Sequence, residues 1–572
     1  MASSSQNNLM SASQLVPFFA LLVGVGVSFG LMMALVTNGF VIGVRNLTHL
    51  RENLDLLEFT LGDMTLSLAP LVAILMAALG IIIIRNVFGI TRWHGPADSI
   101  YAAHRTDNEL DVKAGLGSTL AAFVSASGGA SVGQYGPLVH FGATIGSFVR
   151  QLTGNRLTTD IFIGCGVAGA IAAGFNAPIA GVVFAHEAIL RHFSVRAVTP
   201  IAVASITSAG VSKWLFGDSH AFAVVPPVSL VETLPIALIA GPIFGIVAVL
   251  YMLAIRRSAQ IAGASGRSPV QLLLIAAVLT GLVGMVLPEV LGLGTGAVLD
   301  MLNLKMALTF LLIILVAKTV LTALCIGFGL FGGLFSPALF VGAAAGGSLH
   351  QILASLGITI GGPVMVVCGM AAVASAVIGA PVTGILIMLE MTMSYEYALA
   401  TMLSVVTAAL ISQYLYGHSF FDRQLLDRGI DIAQGRGHLE MMETSIDTIV
   451  SQDYLSASAQ DTKASVLPRM IAQGVSEGYV LDGRRFCGKF TLQALIPLKD
   501  NQSIMDAVDA DPVFIKHDAS ILQAIEIASD FVGESIPIID QDQHDMQGVV
   551  TEGDIFSLYL KTQSTIMDLE HS

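Results

Sequence analysis

From residue 15 to about 430 the chain is dominated by long apolar stretches; beyond that, apolar positions shorten into runs mixed with polar ones. Segments 15–41, 66–84, 234–254, 272–286, 308–324 and 398–411 read as bilayer-crossing helices, since a hydrocarbon core about 30 Å thick takes about 20 apolar residues. Several are short or broken by glycine. Between about 440 and 559, runs such as Ile536-Pro-Ile-Ile539 and Gly548-Val-Val-Thr551 alternate with helical stretches such as 520–529, which predicts a small α/β unit.

Composition sharpens this division. Only 12% of the 572 residues are charged and mean hydropathy is +0.76, against roughly 25% charged in a soluble domain. From Glu440 onward there are 8 Lys and Arg against 22 Asp and Glu, a balance of −14 that equals the whole chain's; residues 1–439 hold 19 of each sign. The expected organisation is a polar segment 1–14, a membrane domain 15–432, an acidic domain 440–562 and a tail 563–572. The acidic balance argues against nucleic acid and against docking on anionic headgroups. Cys165, Cys325, Cys368 and Cys487 have no paired spacing, so neither a disulfide framework nor a zinc site is expected. No basic n-region precedes the first apolar run, which is expected to stay as a membrane helix. No nucleophile–base pair, metal cluster or phosphate loop in suitable context points to an enzyme.

The membrane part repeats itself. Cys165-Gly-Val-Ala-Gly-Ala is matched by Cys368-Gly-Met-Ala-Ala-Val, and in the same register follow Ala177-Pro178 and Ala380-Pro381, Gly181 and Gly384, Glu187 and Glu390, all at an offset of 203. At an offset of 200, Gly133-Gln-Tyr-Gly-Pro137 faces Gly333-Leu-Phe-Ser-Pro337, with Gly142 and Gly146 echoed by Gly342 and Gly346. Small-residue bias in membrane helices produces chance matches, but two prolines and a glutamate in register favour duplication. Repeats in transport proteins place a binding site where interrupted helices meet near the bilayer midplane. Here 133–137 and 333–337 are such breaks, each with Pro in a helix's first turn, where its missing N–H costs nothing. A helix N-terminus offers free N–H groups and partial positive charge to an anion. Two of them can replace a hydration shell without the full charge that would hold the ion too tightly. Lys318, the main basic residue inside an apolar run, reads equally as a structural partner or as an electrostatic element of a pore.

These motifs resemble the chloride-channel (CLC) family, whose members carry Gly-Arg-Glu-Gly-Pro, a Gly-Ile-Phe-Ala-Pro-like segment, and a Glu after Asn-Ala-Pro-x-Ala-Gly. Gly133-Gln-Tyr-Gly-Pro137, Gly333-Leu-Phe-Ser-Pro337 and Asn176-Ala-Pro-Ile-Ala-Gly181 leading to Glu187 stand in that order and spacing. The resemblance spans about 16–430. It implies an all-α polytopic membrane domain of two inverted repeats, a homodimer with one anion pathway per subunit and both termini in the cytoplasm, in a bacterial inner membrane. It places Trp93, His94, Gly95, Gly133, Gln134, Tyr135, Gly136, Pro137, Gly333, Leu334, Phe335, Ser336 and Phe421 at the anion pathway.

The departures carry information of their own. The family's gating acid is replaced by Tyr135, a phenol with a reference pKa of about 10 that is uncharged at neutral pH. It can block sterically or donate its O–H; a plain packing role is the alternative. The inner proton acid, directly after the position of Glu187, is Ala188, which removes the second titratable station. His186 is the obvious substitute, although a lone His on an apolar helix is more often structural. The family's Gly-Ser-Gly-Ile-Pro loop corresponds to Arg92-Trp-His-Gly-Pro96, with Trp93 where the ion-contacting serine stands, and the pore tyrosine corresponds to Phe421 in Ser419-Phe-Phe-Asp422. Chloride is the default ion, with bicarbonate, nitrate and fluoride open.

In the tail, Gly548-Val-Val-Thr-Glu-Gly-Asp554-Ile resembles the closing strand-turn-helix of a CBS motif, and about 446–495 a degenerate copy ending Gly488-Lys-Phe-Thr-Leu-Gln-Ala494-Leu. The resemblance makes this a cytoplasmic CBS-pair domain. In nucleotide-binding pairs Thr and the Asp three residues on hold a ribose; Thr551 and Asp554 fit, whereas Thr491 is followed by Ala494. Helix-dipole stabilisation is the competing role of Asp554, so an adenine nucleotide is one option and no cofactor is required. The expected function is passive, proton-uncoupled anion conduction. Its rivals are a coupled transporter using His186 or His94, and a non-transporting anion sensor.

Overall fold

The computed structural model describes residues 12–53, 58–61, 64–105, 109–153, 157–193, 195–217, 229–358, 360–540 and 544–571; most of the segment 1–14 lies outside these. The chain divides into two compact units, Met1–Ala103 with Asp107–Gly429, and His104–Thr106 with Ile430–Ser572.

The first unit is helical, and seven of its helices among the described residues are long and apolar enough to cross a membrane. The six segments expected to span fall on the helices Ala12–Glu52, Ala69–Phe88, Leu230–Ala264, Pro269–Val286, Leu308–Gly327 and Tyr395–Tyr416. The second of these starts later than hydropathy suggested: Met64–Ser67 pairs as a strand with Glu58–Leu61, and helix begins where Pro70 can occupy the first turn without losing a bond. The seventh is Phe335–Ser355. Helix Val195–Phe216, which answers to Tyr395–Tyr416 in the second repeat, carries Arg196, Pro200 and Lys213 and so escaped the hydropathy reading.

Duplication is visible in the packing. A Cβ on Gly142 would lie 2.4 Å from the Gly166 carbonyl oxygen; its repeat mate Gly342 stands 2.2 Å from that of Gly369 in the same sense. Gly146 meets the Phe162 carbonyl at 2.5 Å, and Gly346 that of Met365 at 2.0 Å. Glycine at these positions lets helix backbones touch, so Tyr135–Thr153 packs on Thr159–Phe175 as Phe335–Ser355 packs on Val364–Ile378. Every residue of Val364–Ile378 is buried, so this helix is walled in by protein and not by lipid. Lys318 resolves as a structural group: its buried Nζ donates to the carbonyls of Val290 (2.9 Å) and Gly292 (2.6 Å) and lies 4.9 Å over the Phe340 ring.

The second unit is two copies of one motif. In the first, Ser456–Ala457, helix Lys463–Gln473, Glu477–Asp482, Arg485–Thr491 and helix Leu492–Leu495 follow in order; in the second, Ile515–Lys516, helix Ile521–Ser529, Ile536–Ile539, Met546–Val550 and helix Glu552–His571. In each copy the first strand runs parallel and the third antiparallel to the second. Gly488 (φ 146°) and Gly548 (φ 150°) occupy the same place beside matching register shifts, a backbone conformation that needs glycine.

Gly342→Ala is expected to lower thermal stability in detergent by about 1–3 kcal/mol, because a backbone carbonyl blocks the new methyl. Gly24→Ala, with nothing within 4 Å of its Cβ, should leave stability unchanged or slightly raised. Equal melting temperatures for the two would contradict the packing described.

Candidate functional site

The two glycine-proline breaks meet. Gly133 N–H donates to the Gly333 carbonyl and Gly333 N–H to that of Gly133, each at 2.6 Å, an isolated antiparallel bridge between positions 200 residues apart. Side chains are excluded here: a Cβ on Gly133 would sit 3.0 Å from the Gly333 oxygen, and one on Gly136 3.2 Å from the Gly333 Cα. Helices Tyr135–Thr153 and Phe335–Ser355 therefore start at one point, with Pro137 and Pro337 inside their first turns. N–H groups of a first turn have no acceptor within their own helix, so two sets of main-chain donors converge.

Beside this junction lies a cavity of about 80 Å³. Of the residues expected at the pathway, Trp93, Gly95, Tyr135, Gly136, Gly333, Leu334, Phe335 and Phe421 line it. His94, Gly133, Gln134, Pro137 and Ser336 do not. The Gln134 Oε1 and Ser336 Oγ are buried behind the junction with no hydrogen-bond partner among the described residues. Sequence reasoning missed Phe184, Ile326, Phe331, Ile378, Ile387, Phe420 and Gln424, which also line the cavity. The repeat held part of that signal: Phe184 and Ile387 are mates at offset 203, as Tyr135 and Phe335 are at 200. Tyr135 lies tilted against Phe175 (centroids 3.9 Å apart, planes at 39°), which meets Phe335 edge-on at 5.2 Å; Trp93 stacks on Phe331 at 5.7 Å. The rings are braced against one another.

The loop carrying Trp93 is fixed electrostatically. Asp98 Oδ1 accepts from Arg92 and Arg428, both at 2.8 Å, and its Oδ2 accepts from Gly95 N–H at 2.8 Å. Two arginines against one carboxylate leave this corner with one positive charge in excess. Behind the loop, the His94 and His140 rings lie 6.1 Å apart; His140 Nδ1 is 2.8 Å from Ser99 Oγ, while His94 Nδ1 and His140 Nε2 are buried without a hydrogen-bond partner among the described residues.

The membrane carboxylates of the repeat are committed elsewhere. Glu187 accepts from the N–H groups of Val382 (2.9 Å) and Thr383 (2.7 Å) and from Thr383 Oγ1 (2.7 Å), at the start of helix Pro381–Thr392. Glu390 returns the bond to Ile179 (2.9 Å) and Ala180 (2.8 Å) at the start of helix Pro178–Phe184. Each repeat thus caps the other's helix, a partnership no local pattern announces. Ala188 is buried in the π-helix Ala185–Leu190, and the neighbouring His186 bonds the His192 carbonyl through Nδ1 (2.9 Å) and stacks on Phe193 at 4.7 Å.

In the second unit, Thr551 and Asp554 bond each other at the start of helix Glu552–His571. Thr551 donates to Asp554 Oδ2 through Oγ1 (2.6 Å) and N–H (3.1 Å), and Asp554 N–H donates to Thr551 Oγ1 at 3.1 Å. Thr491 accepts from Ala494 N–H at 3.2 Å, the same cap without the acid.

Comparison with known proteins meets the same residues. The profile of the family described as Voltage gated chloride channel matches residues 76–413, which takes in both glycine-proline breaks. The chain belongs to the CLC family. A CBS domain profile matches 503–561, the less degenerate of the two tail copies. Among curated relatives, the H(+)/Cl(-) exchange transporter ClcA of Vibrio campbellii is 30% identical over 324 residues, covering 52% of this chain and 66% of that protein. The putative chloride channel protein ClcB-like of Ralstonia nicotianae is 29% identical over 349 residues, covering 58% and 79%. The chain thus matches just under two thirds of the first relative's length. Among solved structures, a slow cyanobacterial Cl−/H+ antiporter aligns with a TM-score of 0.61 at 22% identity, covering 71% of this chain and 97% of that one. A eukaryotic CLC transporter aligns at 0.59 and 17% identity, covering 94% and 98%. At these identities the likeness bears on fold: a CLC-like helical membrane domain followed by a CBS region.

Glu187→Gln is expected to destabilise the protein by about 1–3 kcal/mol, since it weakens charge-assisted bonds to a partly buried helix end. Glu390→Gln should cost less, because Ala180 stands where Thr383 supplies a hydroxyl. Thermal unfolding in detergent reads both, and the reverse order would refute the capping assignment.

Proposed function

We propose that this chain conducts small anions passively across the membrane without moving protons, chloride being the reference ion. The observation that carries this is the meeting of two helix N-termini at Gly133 and Gly333 beside a cavity. Their N–H dipoles can solvate an anion without binding it as tightly as a full positive charge would. Proton coupling needs titratable stations along the same route. Tyr135 stands in place of the gating acid, Ala188 in place of the inner one, and Glu187 and Glu390 are spent on helix caps. A homodimer with one pathway per subunit, both termini cytoplasmic, belongs to this reading, as does a CBS pair that tunes assembly or gating. Adenine-nucleotide binding at Thr551 and Asp554 is a subsidiary part of it, and would require their mutual bonds to be exchanged for bonds to a ribose.

A second reading is coupled anion/proton exchange. It is favoured by the relative named an H(+)/Cl(-) exchange transporter and by the antiporter among the fold neighbours. In this chain it would need an unusual proton route, for which His94 Nδ1 and His140 Nε2, buried and without a hydrogen-bond partner among the described residues, are the candidates. A non-transporting anion sensor is the third.

Reversal potentials of the reconstituted full chain under opposed anion and proton gradients separate the first two: the passive reading expects the anion gradient alone to set them, and a shift with the proton gradient would establish coupling. Silent liposomes would favour the sensor. Tyr135→Glu is expected to slow conduction at neutral pH and to recover as pH falls through the carboxyl range near about 4.3, because the carboxylate competes with the ion only while charged. An unchanged pH response would count against Tyr135 lining the route.

A further inference from the structure

We propose that a second cavity, where the ends of three membrane helices meet, holds an acidic phospholipid of the surrounding bilayer, its phosphate on Arg85 and an acyl chain against the back of Trp93. The site stands apart from the conduction reading; only its effect on anion flow rests on that reading.

This cavity has a volume of about 200 Å³, more than twice that beside the Gly133–Gly333 junction. Its walls come from the last turns of helix Ala69–Phe88, the loop 90–93, the first turn of Pro269–Val286 and the end of Leu308–Gly327. Each of these helices is long and apolar enough to cross a membrane. Three of their ends in one place mark the level where hydrocarbon gives way to headgroups. Val270 in the cavity wall and Ile83 and Val87 on the neighbouring helix are exposed apolar side chains, a surface suited to lipid.

Apolar residues such as Ile81, Leu272, Leu273 and Phe328 make most of the lining, and no acid is among it. Its polar side-chain groups are Arg85, the Thr91 hydroxyl and the Trp93 indole N–H. Arg85 donates through Nε to the Ile90 carbonyl and through Nη2 to that of Thr91, both at 3.1 Å. Its Nη1 has no bond and its charge no ion pair among the described residues. Water in such a space would find few partners. An amphiphile finds both of its own: apolar walls for a chain and a guanidinium fork for a phosphate. A zwitterionic lipid would bring its own cation towards the same guanidinium, so the acidic class is favoured. The acidic balance of the chain belongs to the part from Glu440 onward and leaves residues 1–439 neutral, so it does not oppose a negative headgroup here.

Trp93 and Ile326 line both cavities, which makes the indole ring part of the partition between them. Arg85 also holds the two carbonyls just ahead of Trp93 on its loop. A chain in the side cavity removes the space into which Trp93 could withdraw, and a phosphate on Arg85 steadies the loop. Occupancy therefore keeps Trp93 at the anion route and slows flow.

The test uses the chain's own fluorescence, since it has two tryptophans, Trp93 and the exposed Trp214. In the full chain carrying Trp214→Phe, in detergent, emission from Trp93 is titrated with phosphatidylglycerol or phosphatidylcholine brominated in the acyl chains. Brominated phosphatidylglycerol is expected to quench several-fold more than the choline lipid, and inorganic phosphate at the same concentration should not relieve it. Arg85→Gln should abolish the preference. Val270→Phe, at an exposed position in the cavity wall, should lower quenching by filling the space. In liposomes, chloride efflux should be several-fold slower when one lipid in five is phosphatidylglycerol than in phosphatidylcholine alone, and Arg85→Gln should remove the difference. Equal quenching by the two lipids, relief by inorganic phosphate, or a lipid preference or flux difference that survives Arg85→Gln overturns the proposal. Silent liposomes with Arg85-dependent quenching intact would overturn conduction and leave the lipid site standing.

Discussion

Two main-chain hydrogen bonds between Gly133 and Gly333 hold the arrangement on which everything else depends. They join the two repeats backbone to backbone, at a distance no side chain other than hydrogen permits. From that junction two helices depart, and the orientation of each is fixed by a further glycine contact: Gly142 on Gly166 in one repeat, Gly342 on Gly369 in the other. Moving any of these would shift the first-turn N–H groups, whose value to an anion falls off quickly with distance and misalignment. Precision here comes from the absence of side chains.

Around that polar point the molecule is apolar. Stacked rings form the cavity wall, the arginines are matched to Asp98, Lys318 is turned onto two carbonyls, and the repeat's glutamates are tied to helix ends. These charges have structural partners, and the polar side-chain atoms of the residues lining the cavity belong to neutral groups. Family membership fixes the scaffold, whereas the proposed conduction rests on the residues at 93, 135, 188 and 421.

Much of the architecture was legible in the chain. Six membrane helices came from hydropathy, and the repeat from matching Cys165 and Cys368, Pro178 and Pro381, and the two glycine-proline breaks. The degenerate tail pair came from Gly488 and Gly548 with their following threonines. What stayed hidden depends on contacts across some 200 residues. Ile326, Phe331 and Phe420 look like any apolar residue until the two halves close around one space. Phe175, which braces both Tyr135 and Phe335, has no sequence signal of its own. Helix Val195–Phe216 was obscured because its charges and proline sit near its ends, where a window average mistakes them for a break.

The exchanged glutamate caps bear on how the protein is made. Glu187 and the Thr383 N–H it accepts from are 196 residues apart, so at about 5–20 residues per second the ribosome takes about 10–40 s to deliver the partner. Throughout that interval a carboxylate stands in a nascent apolar hairpin with nothing to bond. Until the second half arrives, water is the partner left to that carboxylate. The paired caps can therefore form only once the second repeat has been made, and each half's helix end depends on the other for its bonds.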